Sequence, residues 1–300
     1  MCKPRTWRSN LAEPSLKPFD LDAARGMLIG LAVGDAVGTT VEFAPRGSFP
    51  EVTDMVGGGP FHLAAGQWTD DTSMALCLAD SLLDQQGWDA ADCMHRFVRW
   101  RDTGYNSVTG ACFDIGLQTS VALDRFVQNG DPYAGPVEDR QSGNGGIMRL
   151  APSVIAYGAE AQRARDHAKA QSRTTHASPS CLTAVVEMTN MLLLGDHQTW
   201  PKPKQPPVEA SGYVVHSMQA ALWAIDQSTD FETAVLKAVN LGGDADTVGA
   251  IVGQLAGRLY GYTGIPQHWR TRLAWHDTIL AKADALWRLT PALPKGDTNG

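Results

Sequence analysis

The chain has 300 residues, of which 43% are apolar and 19% charged, enough apolar matter for a packed core and too much for intrinsic disorder. Lys plus Arg number 25 against 32 Asp plus Glu, and the net charge of −7 argues against a globally basic nucleic-acid binder. Five cysteines, Cys2, Cys77, Cys93, Cys112 and Cys181, form no C-x-x-C pair, which suits reduced thiols in a cytoplasmic protein and excludes a disulfide framework or zinc site. Residues 1–20 are polar, carry three prolines and read as a flexible tail, neither signal peptide nor membrane anchor. From Asp22 to Thr39 the pattern is helical, with glycine at every fourth position: Gly26, Gly30, Gly34 and Gly38. Its most apolar run, Met27 to Val33, is far short of the ~20 residues that span a bilayer.

Further helices are expected at Asp71–Gln86, Asp89–Arg101, Phe113–Gln128, Ile147–Tyr157, Ala159–Ala170, Ser180–Leu194, Val214–Asp226 and Phe231–Asn240. Asp246–Tyr260 and Pro266–Leu289 follow, and no period-2 alternation marks a sheet. Met55–Pro60, Asp131–Gly146 and Trp200–Gly212 are rich in Gly or Pro and read as loops, the last a stiff surface excursion. A second stripe of small residues, Gly249, Gly253, Gly257 and Gly261, matches the first. An interior helical glycine costs about 1 kcal/mol relative to alanine, so the two stripes predict close approach of these two helices. The fold expected is all-α, a single helical domain over residues 21–292 with short tails at 1–20 and 293–300.

Two segments concentrate oxygen ligands before apolar helices: Thr69-Asp70-Asp71-Thr72, and Gly242-Gly243-Asp244-Ala245-Asp246-Thr247. Capping by Thr69 or Asp70 accounts for the first, and capping by one aspartate for part of the second. Together they offer four aspartates and two threonines with no His or Cys, a set that suits hard cations such as Mg²⁺ or Mn²⁺ and exceeds what one ion needs. Asp35, inside an apolar helix, needs a partner there, and a helix-to-loop hydrogen bond would supply one. Glu42 opens a loop and by itself is an ordinary surface acid. Asp114 lies among apolar neighbours; burial would raise its pKa and suit it to proton transfer, and helix capping is the plainer alternative. Ser142-Gly143-Asn144-Gly145-Gly146 can present backbone N–H groups to a phosphate, although it matches no P-loop. His176 on its own is a surface or capping residue.

Taken in order, GMLIGLAVGDAVGTTVEF (26–43), GQWTDDTSMAL (66–76), FDIG (113–116), GNGGIMRLAP (143–152), TTHAS (174–178) and VNLGGDADTVGAIVGQLAG (239–257) resemble the ADP-ribosylglycohydrolases, especially those of the dinitrogenase reductase-activating type. The resemblance implies a roughly orthogonal helical bundle with two Mg²⁺ or Mn²⁺ ions in a central cleft, removing ADP-ribose from a modified side chain or small acceptor. Matched by motif, the metal ligands are Thr69, Asp70, Asp71, Asp244, Asp246 and Thr247. Glu42 matches a flap glutamate at the cleft, and Asp114 an acid that catalyses or meets a guanidinium; Asp71 counts among the catalytic residues as well. Asn144, Gly145, Gly146 and Met148 match the loop for the diphosphate and distal ribose, with His176 and Tyr213 beside the ligand. Leu117 departs from the asparagine of the nitrogenase-type branch.

This reading implies ADP-ribosyl-arginine as the substrate, water attacking the ribose C1″ and Asp114, or Glu42 after it, protonating the departing nitrogen. A ring-opened route is equally compatible with these residues. Two other classes stay open: a hydrolase of serine-linked, O-acyl or other ADP-ribose adducts, and an inactive crystallin-like or ADP-ribose-binding protein. A monomer meeting a mono-ADP-ribosylated protein or small adduct, without nucleic acid or membrane, is the expected setting.

Overall fold

A computed structural model describes residues 18–203 and 208–289, and among these it contains helices and no β-strand. In chain order α1 is Leu21–Gly38, α2 Asp70–Asp84, α3 Ala90–Thr103 and α4 Leu117–Asn129. Next come α5 Gly145–Met148, α6 Ala151–Tyr157, α7 Ala161–Arg173 and α8 Pro179–Leu194. The last five are α9 Val214–Asp226, α10 Phe231–Val239, α11 Ala245–Tyr260, α12 Gln267–Arg272 and α13 His276–Arg288. Short polar side chains start several of them: Asp20, Asp89, Ser178 and Asp230 each accept from a backbone N–H of the first turn of α1, α3, α8 and α10. Gly104, Gly130 and Gly195 in left-handed conformation end α3, α4 and α8.

The two glycine-striped helices meet as the spacing predicts. α1 and α11 run antiparallel through the core, with nearly every residue of both buried. A Cβ built on Gly26, Gly30 or Gly34 would stand 2.2, 2.2 or 1.9 Å from the carbonyl oxygen of Gly257, Gly253 or Gly249. No side chain fits there. The stripe ends at Gly38, which lies over Ala245 and Asp246 rather than a fourth glycine. This contact therefore sets the end of α1 directly against the start of α11, where the second aspartate cluster sits.

Several sequence expectations need correction. Phe19 is not tail but core, 6% exposed, and Asp20 caps α1; residues 1–17 lie outside the described residues, as does the expected 293–300 tail. Of the Pro-rich excursion, residues 204–207 are also outside them. The helix expected from Phe113 begins at Leu117, because Asp114 adopts φ +58°, which no α-helix accommodates. Ile147–Tyr157 is two helices, α5 and α6, broken at Arg149 and Leu150. Pro266–Leu289 likewise divides at Leu273–Trp275, Trp275 standing at φ +57°. No helix among the described residues is long and apolar enough to cross a membrane.

Candidate active site

Asp35 is the first residue to place. Fully buried on α1, it faces the start of α2: Oδ1 accepts from the backbone N–H and hydroxyl of Thr69 at 2.9 Å each. Oδ2 accepts from the N–H and hydroxyl of Thr72 at 3.0 and 2.6 Å. The expected helix-to-loop hydrogen bond is thus a remote N-cap, and neither Thr69 nor Asp70 caps α2 with its own side chain. A carboxylate reaching across from another helix does that work and leaves Asp70 and Asp71 free of a capping role.

The same device recurs at α11. Glu42 is 5% exposed rather than a surface acid, and its Oε2 accepts from the backbone N–H groups of Ala245 (2.7 Å) and Asp246 (3.1 Å). Asp244, in the N-cap position, makes no side-chain cap. Gly242 and Gly243, both near φ +70°, turn the chain so that Asp244 and Asp246 face the same space as Glu42. One oxygen of each of Glu42, Asp244 and Asp246 lies within 4.8 Å of the others.

The two clusters meet. Thr69 Oγ1 lies 3.1 Å from Asp246 Oδ2, and Thr247 Oγ1 donates to Asp71 Oδ2 at 3.3 Å. Burial, followed by the charge of Asp246, pushes the carboxyls of Asp70 and Asp71 well above their ordinary range. The same two causes raise Asp35 and Asp244 to about 7. Glu42 is pushed to about 12 by burial and then by Asp246. Asp114, brought alongside by its left-handed backbone, rises to about 10 through burial and then the charges of Asp246 and Asp70. Carboxylates that repel one another out of water call for compensating positive charge.

Two further observations fit a cation. Asp71 Oδ1 is buried with no hydrogen-bond partner, and the single hydroxyl proton of Thr69 faces oxygens of both Asp35 and Asp246. Acceptors outnumber protons, and every donor atom is a hard oxygen, so the residues present fit a divalent ion of the Mg²⁺ or Mn²⁺ kind.

Beside this cluster lies the 142–146 loop. Asn144 Nδ2 donates to Asp244 Oδ2 at 2.6 Å and to Ser217 Oγ at 2.9 Å, tying loop to carboxylates. The N–H of Val214 donates to the carbonyl of Ser142 at 2.9 Å, which sets half-exposed Tyr213 along the loop. A groove of about 420 Å³ continues from here, its lining including Leu117, Arg125, Arg140, Gly143 and Tyr213. On the other side, Phe43, Phe61 and Phe113 form a chain of ring contacts, the first edge-on and the second tilted, with centroids 6.2 and 5.2 Å apart. Its two ends adjoin Glu42 and Asp114 in sequence.

The family model for ADP-ribosylglycohydrolase matches residues 16–295. The chain belongs to the ADP-ribosylglycohydrolase family. It is 40% identical to the ADP-ribosylarginine hydrolase Tri1 of Pseudomonas putida (strain GB-1), over 98% of this chain and 85% of that protein. It is 33% identical to the ADP-ribosyl-(dinitrogen reductase) glycohydrolase of Rhodospirillum rubrum, over 84% of this chain and 90% of the relative. A solved structure described as an ADP-ribosylglycohydrolase-related protein complex superposes with a TM-score of 0.78 at 40% identity, covering 90% of this chain and 98% of that one.

Within this ADP-ribosylglycohydrolase, the structure brings Thr69, Asp70, Asp71, Asp244, Asp246 and Thr247 together with Glu42 and Asp114. Asn144, Gly145, Gly146 and Met148 form the adjoining loop and first turn of α5. Asp114 does not cap α4, whose N-cap is Gly116. His176 is neither a surface nor a capping residue: it is 4% exposed and lies under the loop, since a Cβ on Gly145 would touch its ring at 2.5 Å. Sequence reasoning missed Arg125 and Arg140 of the groove, and also Arg149, Gln171 and Thr175 beneath the loop. A lone arginine inside the apolar run GGIMRLAP was the available signal for Arg149, because a charge seldom sits in such a run without a buried partner.

Proposed function

We propose that this chain hydrolyses the N-glycosidic bond between ADP-ribose and an arginine side chain, reversing mono-ADP-ribosylation. The observation that carries the reading is Asp114 beside the Asp70–Asp246 cluster, in a chain 40% identical over nearly its whole length to a relative named for ADP-ribosylarginine hydrolysis. Thr69, Asp70, Asp71, Asp244, Asp246 and Thr247 would hold two divalent ions, Mg²⁺ or Mn²⁺. Such ions supply positive charge against the buried carboxylates and make water acidic enough to act as a nucleophile near neutral pH.

The chain's own residues divide the remaining work. Glu42 spends Oε2 on the backbone of α11 and so holds Asp244 and Asp246 in place. Burial favours the protonated form of Asp114, which delivers its proton to the departing guanidino nitrogen as the C1″–N bond breaks and water oxygen joins C1″, the water giving up its own proton to a carboxylate of the cluster. Asp71 stands with the carboxylates at the start of α2, its Oδ1 buried without a hydrogen-bond partner and open to the metal or the attacking water. The groove takes the rest of the ligand: Arg125 and Arg140 offer charge to the diphosphate, and Tyr213 and Leu117 an apolar surface to the adenosine. Phe61 and Phe113 beside Asp114 offer aromatic faces to a planar guanidinium, an acceptor that a serine linkage lacks.

The test is a panel of arginine-, serine-, cysteine- and aspartate-linked ADP-ribosyl peptides assayed with Mn²⁺ or Mg²⁺. The arginine linkage should turn over with the highest kcat/KM, and Asp114→Asn should lower its kcat by about 100-fold or more, the usual weight of a general acid. Faster release from serine, or an arginine rate indifferent to Asp114→Asn, would overturn the assignment.

A further inference from the structure

Arg149 is fully buried, and no carboxylate oxygen is among its hydrogen-bond partners. Its guanidinium lies over the ring of Phe97, 4.8 Å from the centroid, while its N–H groups reach Met74 Sδ and, behind the loop, Gln171, Thr174 and Thr175. Nε donates to Gln171 Oε1 at 3.2 Å, and Nη2 donates to Thr175 Oγ1 at 2.7 Å. Weaker contacts from Nη2 reach the Gln171 carbonyl and Thr174 Oγ1.

A guanidinium has donors and no acceptor, so both partners must accept. For Gln171 this decides the amide: Oε1 faces Arg149, and Nε2 faces the loop, donating to the Gly146 carbonyl at 2.7 Å. For Thr175 it decides the hydroxyl. With a lone pair taken by Arg149, the single hydroxyl proton goes to His176 Nδ1, 2.8 Å away. Nδ1 is then bare and the imidazole hydrogen sits on Nε2. The opposite arrangement, with Nδ1–H donating to Thr175, would leave a buried hydroxyl proton unpaired. Burial and then the charge of Arg149 hold the His176 imidazole neutral, so a single tautomer has meaning here.

We infer that Arg149 is a positioning residue that orients the ligand loop through two arms, Gln171 to the Gly146 carbonyl and Thr175 to the Nε2–H tautomer of His176 beneath Gly143 and Gly145. Both glycines lie on that ring: a Cβ on Gly143 would stand 2.9 Å from His176 Nε2, and one on Gly145 2.5 Å from Cε1. The loop carries Asn144, so its placement also sets the Asn144–Asp244 bond at the carboxylate cluster. That the loop meets ADP-ribose rests on the function proposed above; the tautomer and the amide orientation do not.

The tautomer is read from long-range ¹H–¹⁵N spectra of the full-length protein, with His176 assigned by comparison with His176→Gln. A protonated Nε2 with bare Nδ1 is expected, and a protonated Nδ1 would overturn the inference whatever the substrate. Two isosteric variants test the arms with ADP-ribose as the probe. Thr175→Val should alter the His176 pattern, and Gln171→Glu should leave acceptors for Arg149 while removing the donor to Gly146. Each should raise the ADP-ribose Kd about tenfold, the loss of roughly one well-made buried hydrogen bond, and change Mn²⁺ affinity by less, since the loop meets the carboxylates through the Asn144–Asp244 bond. Thr175→Ser, which keeps the hydroxyl, should restore both tautomer and affinity. Unchanged Kd in both Thr175→Val and Gln171→Glu would leave Arg149 a packing residue only. Failure of the original protein to bind ADP-ribose would refute the proposed function, and the tautomer would still decide the role of Arg149.

Discussion

Thr69 Oγ1 lies 3.1 Å from Asp246 Oδ2, a contact between residues 177 positions apart that closes two aspartate clusters into one. Each cluster begins a helix, and each helix is capped from elsewhere, α2 by Asp35 and α11 by Glu42. The consequence is chemical. Aspartates at a helix start ordinarily serve the exposed N–H groups of the first turn. Here Asp35 takes the N–H groups of Thr69 and Thr72 and Glu42 those of Ala245 and Asp246; Asp246 Oδ1 serves only the N–H of Thr247, and the four aspartates keep oxygen lone pairs for a ligand.

Asp35→Asn tests this arrangement. Its two oxygens face four donors, and the amide that replaces one of them would point N–H toward N–H or O–H. Stability in urea should fall by about 2–4 kcal/mol, as for other buried charged acceptors lost at fixed shape. Mn²⁺ affinity measured by calorimetry should fall with it, because Asp70 and Asp71 follow the cap. Full retention of both would show that α2 is held by other means.

Metal should stabilise the fold. A ligand that binds only the folded state at about 100-fold above its Kd adds about 2.7 kcal/mol. Thermal unfolding should therefore shift upward with Mn²⁺ or Mg²⁺ and return with EDTA, and Asp246→Asn should remove most of the shift. A melting temperature indifferent to metal in the unaltered protein would argue against a cation at these carboxylates.

Gly34→Ala should be among the most damaging small substitutions. Its methyl would sit 1.9 Å from the Gly249 oxygen, and backbone on both sides leaves nothing flexible to yield. A cost of at least about 3 kcal/mol, seen as insolubility or a much lower Tm, is expected for such overpacking. Gly116→Ala is the control: φ is −64° and no atom lies within 4 Å of its Cβ position, so stability should change by no more than about 1 kcal/mol, the difference between glycine and alanine at an N-cap.

His167 predicts a pH dependence. It is buried against the rings of Tyr157 and Trp88, both ring nitrogens lack partners, and burial lowers its pKa from 6.5 to about 3. Between those values the unfolded chain binds the proton that folded His167 refuses, so stability present above 6.5 is lost as pH falls toward 3. From pH of about 7.5 to about 5.5 this one group costs roughly 1.4 kcal/mol. His167→Phe, which keeps the ring stacking, should flatten that part of the profile and stabilise the protein at the lower pH. An unaltered difference between the two pH values would assign the dependence to other groups.

The sequence alone determined the helical class, the pairing of the glycine stripes and the residue types gathered at the carboxylate cluster. These are legible because each rests on local repetition or on short motifs: Gly26, Gly30 and Gly34 recur once per turn, and Asp244-Ala245-Asp246 is contiguous. What the tertiary structure decided is the use of those residues. Capping looked local, since Thr69 and Asp70 are ordinary N-cap types, yet the acceptor comes from Asp35, 34 positions away. Glu42 and His176 carry no sign of burial in their own neighbourhoods, and only packing of α11 and the 142–146 loop over them takes them out of water. Asp114 owes its approach to the cluster to a left-handed φ, which no residue pattern announces in a non-glycine. Hydrogen-bond partners and dielectric are set by which elements meet in space, and periodicity along a chain records only which face of an element is apolar.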